Sequence, residues 1–169
     1  MRLHKSSRRW PVWRDLAKSY HRLTTLRINA LDFVGAKDLS QKSLAAAQRY
    51  YDANPRGKEE KEILSVSYTK LGIVEENLGE LEDALKSHGR ALEIDRDVAT
   101  QNHDSASAQR DLALDYQSLG RVMMARQSPA AALDSFYRSI SLLRQIARSD
   151  AADKRTQYQI GRASCRERV

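Results

Sequence analysis

Four histidines and one cysteine, His4, His21, His88, His103 and Cys165, are the side chains here best suited to metal ligation or nucleophilic chemistry. A metal site needs several such ligands at short, regular spacings, and no histidine has a Cys or carboxylate partner at ligand spacing. His103 followed by Asp104 reads more simply as a helix start, with Asp104 as the cap. No glycine-rich phosphate loop, nucleophile elbow or repeated carboxylate pair in an apolar setting is present. No catalytic, metal-binding or cofactor-binding residue is therefore assigned. The expectation is a protein that is not an enzyme and carries no cofactor.

The elements that hold these residues follow from composition. The chain has 169 residues, 41% hydrophobic and 30% charged, a globular balance that suits one compact or elongated domain. Three prolines and seven glycines leave helix favoured nearly throughout. No apolar run approaches the roughly 18 residues of a membrane helix, and the opening Met1 to Lys5 leads into more charge, not a signal core. A cytoplasmic protein that binds no membrane is expected.

The net charge of +7 invites a nucleic-acid reading, but much of it sits at the ends. Arg2, Lys5, Arg8 and Arg9 precede the regular pattern, and Arg162, Arg166 and Arg168, with Glu167, follow it. A phosphate-binding face needs clustered cations on folded surface, so no nucleic-acid partner is expected. Residues 160–169 read, codon for codon, as a translated sequencing adaptor. Residues 159–169 are therefore set aside as a non-native tail, Cys165 is given no role, and the natural chain is expected to continue. A genuine basic tail is the other reading.

Self-similarity organises the rest. Leu16, Leu64 and Leu112 lie 48 residues apart, as do Tyr20, Tyr68 and Tyr116, Ala36, Ala84 and Ala132, and Leu44, Leu92 and Ile140. Within a copy, apolar residues step by three and four: Leu64, Tyr68, Leu71 and Val74 form one helical face. Leu81, Ala84, Leu85, Ala91 and Leu92 form another after a break at Gly79. Helices are predicted at about 13–31, 34–53, 58–78, 80–101, 106–127 and 129–148, with a seventh starting near Asp153. Ser128 and Pro129 mark one helix start, and Asn54-Pro55-Arg56-Gly57 the clearest loop. The copies span about 13–57, 58–105 and 106–153. Residues 1–12 are a basic segment or the remnant of a preceding repeat, and Trp10 and Trp13 are expected to flank Pro11 ahead of the first helix.

Gly72 and Gly120, with Ala84 and Ala132 twelve residues later, suit a close crossing of the two helices of a hairpin. In this the chain resembles the tetratricopeptide repeat family. The second copy matches its pattern at Tyr68, Leu71, Gly72, Ala84 and Ala91, and the third at Tyr116, Leu119, Gly120, Ala132 and Phe136. The first copy departs, with Thr24 for the glycine and Ser40 for the aromatic, and His88 replaces the aromatic of the second. The repeat exceeds the family's usual length, which implies a lengthened second helix or an ordered connection. The resemblance covers about residues 13–158 and implies an all-α, right-handed superhelical solenoid of about three antiparallel hairpins.

It further implies a concave groove lined by first helices, where a protein or peptide partner binds. The groove positions are Lys18, His21, Thr25 and Ile28 in the first copy, and Val66, Thr69, Ile73, Glu76 and Asn77 in the second. Leu114, Gln117, Arg121, Met124 and Ala125 supply the third. Taken singly, each reads more simply as ordinary solvated or interhelical surface, and Asn77 and Arg121 are the preferred polar contacts. The Lys, Asn and Arg set with which some family members clamp a carboxylate is absent, since His21, Thr25, Thr69 and Ile73 stand there. Met123 is expected in the core.

The expected function is a protein-protein interaction scaffold. The alternative is a sensory or oligomerising arm of a larger bacterial signalling protein, of Ser/Thr kinase or cyclase type. An RNA-reading repeat would carry recurrent base-reading residues at fixed offsets, whereas Lys18, Val66 and Leu114 share one offset. Leu133, Phe136, Ile140 and Leu143 are expected to lie uncovered, and self-association through uncapped terminal repeats follows.

Overall fold

A computed structural model of the protein describes residues 10–103 and 105–149. Six helices make up the described residues: α1 (Trp10–Asn29), α2 (Phe33–Ala53), α3 (Lys58–Asn77), α4 (Leu81–Gln101), α5 (Ala106–Ala125) and α6 (Pro129–Ser149). There is no strand among them. No helix among them is long and apolar enough to cross a membrane. The seventh helix, the cap at Asp104 and the tail of residues 159–169 lie outside the described residues, as do His4 and the basic residues 1–9.

The 48-residue register is carried into the backbone residue for residue. First helices begin at 10, 58 and 106, and second helices at 33, 81 and 129. The extra length of the repeat lies in the helices, since each second helix has 21 residues.

Local chemistry accounts for the boundaries. Asp32 caps α2 by accepting from the Gly35 amide at 2.8 Å. Ser105 caps α5, its hydroxyl accepting from the Ala108 amide at 3.3 Å. Pro129 opens α6, where a missing N–H costs nothing. Between α2 and α3, the Gly57 amide donates to the Asn54 carbonyl at 3.0 Å, closing the loop around Pro55. The tryptophans differ from expectation: Trp10 and Pro11 already belong to the first turn of α1, where proline is tolerated, so these residues do not precede the helix. Trp13 lies under the Arg49 guanidinium of α2, 4.5 Å from its ring centre.

Each hairpin turn uses one motif. Leu31, Gly79 and Gln127 occupy the same place in the repeat, and all three have left-handed φ, near 58°, 77° and 57°. In each copy the next amide reaches back five residues, Asp32 to Arg27, Glu80 to Glu75 and Ser128 to Met123, which satisfies carbonyls at the helix end.

The chain divides into two compact units, with the boundary between Ser87 and His88. In the first, α1 packs on α2, and α3 packs on both. Small residues let these helices approach: Ala17, Ala36, Ala46 and Ala47 are buried, as are Leu64, Leu71 and Val74 of α3. Ser43 ties the three together, donating to the Ala17 carbonyl at 3.1 Å and lying 3.3 Å from the Ser67 hydroxyl. In the second unit α5 packs on α6. Ala113, Leu143 and Ile146 form its core cluster, and a Cβ built on Gly120 would fall 2.7 Å from the Phe136 ring. Phe136, Ile140 and Leu143, expected to be uncovered, are buried, and only Leu133 is exposed. The hairpin itself buries two of them, one over Gly120 and one against Ala113.

Candidate functional site

In the first unit, the predicted groove positions of α1 and α3 recur at helical spacing and so share one face of each helix. Lys18 donates to Glu59 at 2.8 Å, and that hydrogen bond holds the Glu59 carboxyl below its usual range. His21 is half-buried, and its Nε2 has no hydrogen-bond partner among the described residues. Burial pushes its pKa down to about 4, and the nearby Lys70 charge adds to this, so the ring is neutral at pH 7. Burial likewise lowers the Lys70 ammonium. Lys70 was missed in the sequence because the family's groove offsets skip it.

The polar groove residues of α1 and α3 are largely turned back on their own helices. Thr25 donates to the His21 carbonyl at 2.9 Å, Thr69 to Ser65 at 3.1 Å, and Asn77 to Ile73 at 2.7 Å. Ile28, Ile73 and Glu76 are half-buried, whereas Val66 is 40% exposed.

In the second unit, Leu114, Gln117, Arg121 and Met124 follow one face of α5. Leu114 is 37% and Met124 52% exposed, and Ala125 is exposed beside them. The Gln117 Nε2 is buried without a hydrogen-bond partner among the described residues. Arg121 lies 3.4 Å from the Ser118 hydroxyl. Its charge reinforces burial in lowering the His88 pKa to about 4. Met123 is only half-buried and receives a hydrogen bond at sulfur from Ser135 at 3.6 Å.

These faces combine open apolar side chains with polar groups of which Thr25, Thr69 and Asn77 are bonded within their own helix. Such a surface can seat apolar side chains of a partner. Among the described residues no cluster of His, Cys, Asp or Glu is placed to hold a metal. An open hollow of about 600 Å³ lies on α6, lined by Tyr137, Ile140, Ser141, Arg144 and Arg148 among others, and contains none of the predicted groove residues. Compared with known proteins, the chain matches no family model and no curated protein.

Proposed function

We propose that this chain is a tetratricopeptide-type repeat whose hairpins stack in a right-handed superhelix, and that it is a scaffold for a peptide or protein segment. The partner lies along the first helices. The supporting observation is the apolar exposure at groove offsets: Val66 at 40%, Leu114 at 37% and Met124 at 52%. Val66 and Leu114 share one repeat offset, so exposed apolar side chains recur at one place on the first helices, where a partner's apolar side chains can pack.

Selection of peptides displayed on phage against the whole chain, followed by fluorescence anisotropy, tests the reading. Val66→Glu, Leu114→Glu and Met124→Glu are each exposed substitutions that should leave the fold intact. Selected peptides should bind at least tenfold more weakly to one or more of these variants. Affinities unchanged in all three variants, or no peptide selected, would refute groove binding.

A further inference from the structure

The described lysines are engaged with one exception. Lys18, Lys37, Lys42, Lys58 and Lys86 each lie within 3.6 Å of a carboxylate oxygen, and Lys61 is engaged as well. Lys70 on α3 is half-buried, and its ammonium makes no hydrogen bond or ion pair among the described residues. Burial lowers its pKa, and no carboxylate among those residues lies close enough to offset this. A cation that has lost part of its water and gained no counterion is costly to keep, and an anion from outside would relieve that cost.

His21 is its neighbour across the packing of α1 on α3. The imidazole is half-buried, its Nε2 is enclosed without a hydrogen-bond partner among the described residues, and the Lys70 charge helps to keep it neutral. The pair therefore carries one positive charge at pH 7, on a side chain whose surroundings are otherwise apolar. Val66, Lys70, Ile73 and Asn77 follow one another at intervals of four, three and four, which places them on one face of α3. Val66, one turn before the lysine, is 40% exposed, and Ile73, one turn after it, is half-buried. Apolar surface thus continues on both sides of the ammonium.

We infer that Lys70 receives the side-chain carboxylate of an aspartate or glutamate inside the bound segment, an inference that depends on a segment lying along the first helices. One ammonium beside a neutral ring matches the single charge of a carboxylate, not the larger charge of a phosphate ester. Apolar ground on both sides lets the segment run past Lys70. The acid therefore lies within the sequence and not at its end, where the family's clamp, absent here, would hold it. In an extended segment alternate side chains share one side at a spacing of about 7 Å. That is close to the helical turn of about 5.4 Å that separates Val66 and Ile73 from Lys70. The recognised pattern is an acid with an apolar residue two positions away on each side.

Random peptides displayed on phage and selected on the whole chain, then resynthesised with amidated C-termini, supply the probes. Selected peptides should carry Asp or Glu between apolar residues at that spacing. In fluorescence anisotropy, replacing the acid by its amide should weaken binding at least tenfold. Lys70→Met should weaken the acidic peptide by a similar factor, the two changes together should add little more, and Lys70→Arg should retain most of the affinity. The Tm of Lys70→Met should not fall, because no ion pair is lost; a lower Tm would overturn the proposal by showing that the ammonium serves the fold. Peptides without an acid, or peptides weakened by Val66→Glu but indifferent to Lys70→Met, would overturn it while leaving groove binding standing. Binding that disappears on amidation would also overturn it, since a chain end would then be the occupant. Failure to select any peptide would overturn both.

Discussion

The ring of Phe136 lies so close over Gly120 that a Cβ on that glycine would sit 2.7 Å from its Cε1 and 2.8 Å from Cζ. The same two places in the first copy hold Thr24 and Ser40, both buried, with the hydroxyls donating to Tyr20 and Lys37 carbonyls. The equivalent residues of the second copy, Gly72 and His88, are each buried. In the third hairpin, the bulk of Phe136 on α6 is thus matched by the missing side chain of Gly120 on α5. Thr24 and Ser40 are both fully buried, so the first hairpin closes here with a larger residue on α1 and a smaller one on α2.

Gly120→Leu should therefore destabilise the protein by about 1–3 kcal/mol through overpacking. Phe136→Ser alone should cost about 3–5 kcal/mol through the cavity it leaves. The double variant Gly120→Thr with Phe136→Ser copies the first hairpin, and urea denaturation should show a loss smaller than the sum. Strict additivity would count against this pairing.

The three left-handed turn residues make a second series. Leu31 and Gln127 bear a Cβ where Gly79 has none, and left-handed geometry costs an L-residue about 1–2 kcal/mol. Gln127→Gly and Leu31→Gly should each raise stability by about 0.5–1 kcal/mol once the unfolded-state entropy of glycine is set against that gain. Leu31 is 75% exposed, so little packing is lost. Gly79→Ala, with nothing within 4 Å of its new Cβ, should destabilise through backbone strain alone. Thermal melts of the three variants give the order directly.

Stability should fall on mild acidification. His88 and His21 have folded pKa values lowered to about 4, so the unfolded chain binds protons first as pH drops below the ordinary value of 6.5. Their contribution is complete above about pH 6.5 and is lost as pH falls through 4. For the fully buried His88 it is on the order of 2–3 kcal/mol. Glu75 acts oppositely: burial raises its pKa, so the folded state holds its proton more firmly and loses stability as pH rises through its titration. His88→Phe, copying the third hairpin, should reduce the slope between pH 6.5 and 4 in urea denaturation.

Ser43→Ala should cost about 1–2 kcal/mol, because the buried hydroxyl serves the Ala17 carbonyl on α1 and faces Ser67 on α3. Lys18→Ala with Glu59→Ala, an exposed pair, should change stability little by comparison. Equilibrium denaturation of both variants should separate them clearly.

Periodicity made the six helices legible, since apolar spacing and Pro, Gly and Ser signals set their limits to within about three residues. The groove offsets were legible as positions, but not the way Thr25, Thr69 and Asn77 turn onto their own carbonyls, which depends on side-chain rotamers. Only Gly79 signalled a left-handed turn, because leucine and glutamine carry no such mark at 31 and 127. Leu23 and Leu26 stand at the same offsets as Leu71 and Val74, yet the first two are exposed and the second two buried. Sequence register shows that these offsets are equivalent, whereas exposure depends on which neighbours are present.

The identical helix limits in all three copies also bear on how such a chain can change length. A crossover between equivalent codons of two copies adds or removes one whole hairpin while leaving every cap, turn and helix face in phase. An insertion of any other size shifts the downstream faces out of phase with the helices that cover them.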